Sequence, residues 1–362
     1  MKKIICKIAK WAAIVLATLL LAAVLFVAGS RLVTWLNVRI TGMDSVDEGI
    51  YVDLCGQEQY LLIRGADVVN PVVIWLHGGP SSPDGYVNHA WQQHLTDRYT
   101  FINWDQRGCG RTYFRNASAD PDNATATFDQ ALADLDALVD YARERFGQEQ
   151  VILVGHSYGT MLGSRYTLDH PEKVTAYIGV GQLVSFESDL YSYEHALTIA
   201  KERGDDVSAM EAAHAAYLAE PTIPNMIAMR RASAAYHTAE REANTLWLGV
   251  TSPFMGLDDL RWFLVQCGDL TAYIARNQQL YDHVLTADLR KWPLDYAMPV
   301  GFITGGSDWT TPAKYAQDYH DMITAPEKRI ALLDGCGHAP HYDAPEEFCT
   351  LLGGMLDAFL PR

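Results

Sequence analysis

The hydrophobic pattern opens on 20 residues without a charge, WAAIVLATLLLAAVLFVAGS, between Lys10 and Arg31. As a helix rising about 1.5 Å per residue, such a run reaches about 30 Å, the thickness of a bilayer's hydrocarbon core. Trp11 and Trp35 bracket it as interfacial aromatics do, and Lys2, Lys3, Lys7 and Lys10 precede it. The positive-inside rule then sets the N-terminus in the cytoplasm and everything beyond Arg31 outside, as a single-pass protein of the cell membrane. The competing reading is a secreted protein with a cleaved signal peptide, for which Ala28-Gly29-Ser30 offers small residues. The run exceeds the roughly 7–15 apolar residues of a signal h-region, which favours the uncleaved anchor.

Beyond a juxtamembrane stretch the period changes. Strand-like runs occur at Ile50–Cys55, Tyr60–Ile63, Val72–Leu76 and Tyr99–Trp104. Leu132, Leu135, Val139, Ala142 and Phe146 recur at the spacing of one helical face and predict a helix over Phe128–Phe146. Val151–Val154 is continuous and mostly β-branched, as in a strand buried on both faces. A helix over Thr160–Leu168 and a strand over Val174–Val180 follow. Strands alternating with helices predict an α/β fold with a mostly parallel central sheet flanked by helices.

That alternation stops near Leu183. From there to Trp292 the pattern is helical only, and it resumes with strand Val300–Thr304, helix Pro312–Met322, strand Arg329–Leu333 and a last helix over Glu346–Phe359. An insert of about 110 residues is too long for a loop and reads as a helical cap. The expected organisation is therefore an N-terminal region with the transmembrane helix over 1–44, a core from 45–182 and 293–362, and a cap over 183–292.

Charge narrows the partners. The 362 residues carry 28 Lys and Arg against 44 Asp and Glu, a net −16. Residues 1–44 hold six basic side chains and one acid, so the rest has 22 basic and 43 acidic groups, or −21. Phosphate backbones repel such a body, which excludes nucleic acid as a partner, and membrane contact requires a dedicated segment. The six cysteines (Cys6, Cys55, Cys109, Cys267, Cys336, Cys349) form no C-x-x-C pair, and only five would lie outside. They read as mostly free, small apolar side chains. No four-ligand pattern of His and Cys suggests zinc, and neither metal nor cofactor is expected. The sequons at Asn116 and Asn123 are chance matches on this reading.

The chemistry concentrates in V-I-L-V-G-H-S-Y-G at 151–159. This is G-x-S-x-G after a buried strand and before a helix, the context of a nucleophile elbow at Ser157. Gly155 and Gly159 flank it because side chains there would collide across the turn. His77-Gly78-Gly79-Pro80 follows strand Val72–Leu76, where a glycine turn exposes N–H groups to an oxyanion. Asp308 comes just after strand Val300–Thr304 and His338 just after Arg329–Leu333, at strand ends where parallel sheets place their sites. The order Ser157…Asp308…His338 is that of an α/β-hydrolase triad. Ser157 would be the nucleophile, His338 the general base and Asp308 the group that fixes the imidazole, with His341 the rival base. The oxyanion would lie on the N–H groups of Tyr158 and Gly79, with Gly78 the second choice for the latter.

HGGP, DQRGCGRT at 105–112 and GHSYG together resemble the proline iminopeptidase family of α/β-hydrolases, peptidases that remove an N-terminal residue, often proline. The resemblance covers roughly 50–182 and 293–360 and leaves the cap unaligned. The family pattern is HGGPG, DQRGSG and G-x-S-W-G; Ser81, Cys109 and Tyr158 stand at the differing positions. Ser81 and Tyr158 are expected near the substrate, and Asp105 and Arg107 are expected to pair and brace the neighbouring loop. The resemblance implies an α/β-hydrolase fold and a serine aminopeptidase acting on small peptide or aminoacyl substrates through an acyl-enzyme. It also implies cap glutamates that bind the substrate's α-amino group, yet the expected W-x-x-W-E segment is absent. Glu187 and Glu194, in S-F-E-S-D-L-Y-S-Y-E, are the substitutes, with Tyr191 and Tyr193 as pocket walls. A carboxylesterase would use the same triad, and a silent hydrolase fold serving as a binding protein is the third reading.

Overall fold

The structure, a computed structural model, describes residues 2–360. Strands β1 (Val46–Leu54), β2 (Gln57–Gly65), β3 (Val72–Leu76), β4 (Thr100–Trp104), β5 (Val151–His156), β6 (Val174–Val180), β7 (Val300–Gly305) and β8 (Lys328–Leu333) form one sheet in the order β1-β2-β4-β3-β5-β6-β7-β8. The β1–β2 and β2–β4 pairs are antiparallel; the rest of the sheet is parallel. All five residues of β3 and of β4 are buried, the burial expected when helices cover both faces.

Helix α1 (Lys2–Val38) precedes the sheet; α2 (Phe128–Phe146) and α3 (Tyr158–Asp169) pack on one of its faces. Local chemistry sets the ends of α2: Thr127 accepts the Gln130 N–H at its start, and Gly147 closes it at φ 63°. Its predicted apolar stripe faces the core, with Leu135, Val139 and Ala142 fully buried. Between β6 and β7 the chain forms α4 (Glu187–Arg203), α5 (Ser208–Ala219), α6 (Ile223–Ser233), α7 (Thr245–Thr251), α8 (Leu257–Gly268), α9 (Leu270–Arg276) and α10 (Gln278–Thr286), here termed the cap. Helices α11 (Ala313–Met322) and α12 (Pro345–Phe359) complete the core.

Helix α1 is long and apolar enough to cross a membrane. It runs past the uncharged stretch to Val38 rather than ending near Arg31. Its C-terminal part has partners: Arg31 Nε donates to Val250 O (2.9 Å), Arg31 Nη1 to Met255 O (3.2 Å), and Arg64 Nη2 to Val38 O (2.5 Å). None of the six cysteines is paired; Cys109, Cys336 and Cys349 are buried.

Candidate active site

Steric exclusion builds the turn around Ser157. Its backbone sits at φ 53°, ψ −121°, a strained conformation for a side-chain-bearing residue and one that costs of order 1–3 kcal/mol. A Cβ on Gly155 would lie 2.5 Å from Gly159 O, and one on Gly159 would lie 2.0 Å from Leu76 O at the end of β3. Both glycines are therefore required for α3 to close against the strand ends. Tyr158 opens α3, so its N–H has no acceptor within the helix.

The turn after β3 passes against this serine. A Cβ on Gly78 would stand 3.0 Å from Ser157 Cβ, and Gly79 and Pro80 line the same cavity of about 180 Å³ as Ser157. His77 holds the turn in shape. Its Nδ1 lies 2.8 Å from Gly78 O, and its Nε2 accepts the Gln106 N–H at 3.3 Å, so Nδ1 carries the proton. Burial lowers the pKa of His77 to about 4, which keeps the ring neutral at pH 7.

Asp308 and His338 come together from the ends of β7 and β8. His338 Nδ1 lies 2.9 Å from Asp308 Oδ2, leaving Nε2 as the free nitrogen. Asp308 is buried, and burial alone would raise its pKa. The charge and hydrogen bond of His338, with two hydrogen bonds from Thr311, hold it below the usual value instead. Thr310 and Thr311 donate backbone N–H groups to Oδ1 at 2.8 Å each, and Thr311 Oγ1 donates to Oδ2 at 2.8 Å. His156, next to the serine in sequence, donates from Nε2 to His338 O at 2.9 Å, and the two rings are 4.8 Å apart. The rival His341 is fully buried, and neither ring nitrogen has a partner among the described residues.

The DQRGCGRT loop departs from expectation, because Asp105 and Arg107 do not pair. Arg107 forks onto Asp134 of α2 with two 2.7 Å bonds, both side chains being buried. Asp105 accepts the Arg111 N–H at 2.9 Å, while the Arg111 side chain reaches the cap at Asp259. Neither Ser81 nor Tyr158 lines the Ser157 cavity. Ser81 Oγ donates to the cap's Asn277 at 2.7 Å, and Tyr158 is wholly buried in the core near Phe128. Trp262 and Tyr273 of the cap donate to the carbonyls of Ser81 and Pro80. The substituted Ser81 thus ties cap to core.

A second cavity, of about 430 Å³, is lined by His338, Trp309, Tyr193, Asp189 and Arg230; Arg230 and Thr310 also line the Ser157 cavity. Neither Glu187 nor Glu194 lines either one. Glu187 is exposed and pairs with Arg290 at 2.7 Å, and Glu194 is exposed on the same helix face. The buried acid is Asp189, whose Oδ2 accepts from Arg230 Nη2 at 3.0 Å. Residues advance about 100° around a helix, so Asp189 lies roughly 200° from Glu187 and 140° from Glu194, on the opposite side of α4. Tyr193 is a wall of the cavity, whereas Tyr191 packs edge-on against Tyr315. The other carboxylates lining it are Asp343, which accepts the N–H groups of Gly337 and Ala243, and exposed Glu242.

Sequence reading missed a cluster behind the site, since its members are remote in the chain. Asp84, His156 and His341 each bring one ligand atom within 4.8 Å of the others. That spread is wider than the roughly 3.4 Å between ligand atoms of a tetrahedral site with bonds of about 2.1 Å. Asp84 already accepts from Trp75 and Asn88, and burial raises its pKa to about 7. Asp84 is thus already engaged by hydrogen bonds, whereas His341 has none among the described residues.

Residues 71–210 match the family model for the alpha/beta hydrolase fold. A probable aminopeptidase, YbaC, of Bacillus subtilis is 26% identical over 82% of this chain and 92% of its own length. The proline iminopeptidase of Lactobacillus delbrueckii subsp. bulgaricus is 25% identical over 84% and 96%. Among solved structures, a proline iminopeptidase-related protein of Thermus thermophilus superposes with a TM-score of 0.60 at 20% identity, over 87% of this chain and 99% of that one. A membrane phospholipase A, a bacterial virulence factor, gives 0.57 at 17% identity over 99% of both chains. Structural likeness at such identities shows the fold; the curated relatives are themselves described as an aminopeptidase and a proline iminopeptidase. The chain has the alpha/beta hydrolase fold and is similar in sequence to the proline iminopeptidases.

Proposed function

We propose that this hydrolase is a serine aminopeptidase, anchored by α1 with its catalytic part on the outer face of the cell membrane, that releases N-terminal residues from small peptides. The observation that carries the reading is the Asp308–His338 pair at 2.9 Å on a buried carboxylate, together with a serine in a strained strand-to-helix turn. Ser157 Oγ attacks the scissile carbonyl and gives its proton to His338 Nε2. Asp308 fixes the tautomer and stabilises the imidazolium. The N–H groups of Gly79 and Tyr158 hold the tetrahedral oxyanion. His338 then protonates the leaving amine, and water attacks the acyl-enzyme with the same base. The cavity at Ser157, walled by Leu183, Phe186, Met226 and Val284, suits one apolar residue such as proline. Asp189 takes the role first given to Glu187 and Glu194 and binds the substrate's α-ammonium group in a largely desolvated site.

A carboxylesterase on the same residues is the second reading, favoured by Arg230, which already neutralises Asp189. A fluorophosphonate probe that labels wild type and not Ser157→Ala establishes the nucleophile. Prolyl arylamide, its N-blocked form and a simple ester then separate the readings. Preference for the free amine supports the aminopeptidase; preference for the blocked form or the ester replaces it with the esterase. Resistance of the full chain to carbonate extraction from membranes tests the anchor, and a mature N-terminus near Arg31 would restore the signal peptide.

A further inference from the structure

The cap carries an apolar edge that the proposed mechanism does not use. On α8, Leu257, Leu260 and Leu264 are 73%, 44% and 60% exposed. Their spacing of three and four residues puts them on one helical face. Leu246 and Trp247 of α7 are exposed alongside. Isolated surface leucines need no explanation, but a contiguous apolar surface of this kind marks an interaction site. Between this edge and α1 lies a cavity of about 770 Å³, walled by Val27 of α1 and by Leu246, Leu257, Leu260 and Phe263 of the cap.

Depth along α1 identifies what covers the edge. The uncharged run ends at Ser30, so Phe26 lies about 7.5 Å inside the boundary marked by Arg31. The Trp247 ring is 5.9 Å from that of Phe26, and Arg31 donates to Val250 O and Met255 O on the same part of the cap. The cap therefore meets α1 below the level at which α1 leaves the hydrocarbon, and Trp247 stands where interfacial tryptophans settle. The nearby charges Asp258 and Arg261 pair with each other at 2.7 Å, and Asp259 is buried against Arg111. With a body at −21, attachment by anionic headgroups is disfavoured, which leaves apolar immersion as the mode of contact.

We propose that the α7–α8 edge of the cap is immersed in the outer leaflet, and that the cavity between it and α1 holds acyl chains of bilayer lipid. This inference rests on α1 spanning the membrane. It also puts lipid close to the chemistry, since Thr245 lines both this cavity and the one that contains His338.

The test uses the full chain in phosphatidylcholine vesicles containing a phosphatidylcholine with a diazirine on its acyl chain, with the photolabelled residues mapped by mass spectrometry. Labelling within 245–264 should exceed that of α5, which is remote from α1, at least fivefold, and should fall severalfold in Leu257→Asp/Leu260→Asp. Label confined to α1 overturns the proposal and leaves the anchor standing. Label absent from α1 as well overturns both. Protection of 245–264 together with chain-to-chain cross-links through it would assign the edge to a second copy, and the proposal would fall.

Discussion

Asp308 meets His338 through one carboxylate oxygen and spends the other on two backbone N–H groups, those of Thr310 and Thr311. The carboxylate is thus fixed in orientation before it orients the imidazole. Ser157→Ala and His338→Ala should each lower kcat by on the order of 10⁴–10⁶, with the double variant little worse, because the residues act as a unit. Asp308→Ala should cost about 10⁴. Steady-state kinetics on an aminoacyl arylamide checks all of these, and near-normal turnover by Asp308→Ala would remove it from the mechanism.

Asp189→Asn should raise KM for free-amine substrates tenfold or more and leave amine-free esters nearly unchanged. Glu187→Gln, at an exposed position paired with Arg290, should do neither. An unaltered ratio of free-amine to blocked-substrate kcat/KM in Asp189→Asn would place amine recognition elsewhere.

Arg107→Met should be costly to the fold. It leaves Asp134, wholly buried, without its bidentate partner, a loss of about 3–5 kcal/mol by analogy with other broken buried pairs. Denaturant unfolding measures it, and a change below about 1 kcal/mol, the usual limit for surface pairs, would contradict the pairing.

Acidification should weaken the fold through histidines that burial keeps neutral. His77 titrates at about 4 in the native protein against 6.5 without burial, and His156 at about 3. Between those values and 6.5 the unfolded chain binds protons that the native one refuses, so stability falls as the pH drops through that window. Asp84, raised to about 7, acts with the opposite sign below that pH, so the informative quantity is a difference between variants. The Tm advantage of wild type over His77→Gln should shrink from pH 7 to pH 4 and then level off. A pH-independent gap would mean that His77 is not the neutral, buried group described.

The strands Val72–Leu76 and Val174–Val180 and the helix Phe128–Phe146 agree with their sequence reading to the residue, because burial on a sheet or one helix face writes a period into the chain. Asp308 and His338 were legible for a related reason: each lies within five residues of the end of a strand that the period locates. Which acid of the cap segment is buried was not. Glu187, Asp189 and Glu194 share one short acidic segment, and only the rotation of α4 about its axis decides which of them is buried. Arg107 likewise looked nearest to Asp105 along the chain, whereas the docking of α2 supplied Asp134. Contacts set by packing between elements leave no local spacing to read.

The last turns of α1 belong to two partners at once: Arg31 is held by cap carbonyls and Val38 by Arg64 of the core. The boundary of the folded unit thus falls within a continuous helix, not at its end. Shortened forms cut before Arg31 shed the apolar run and keep the splint across the seam between cap and core. Those cut after Val38 lose both, and with them one of the fixed points that set the cap's angle.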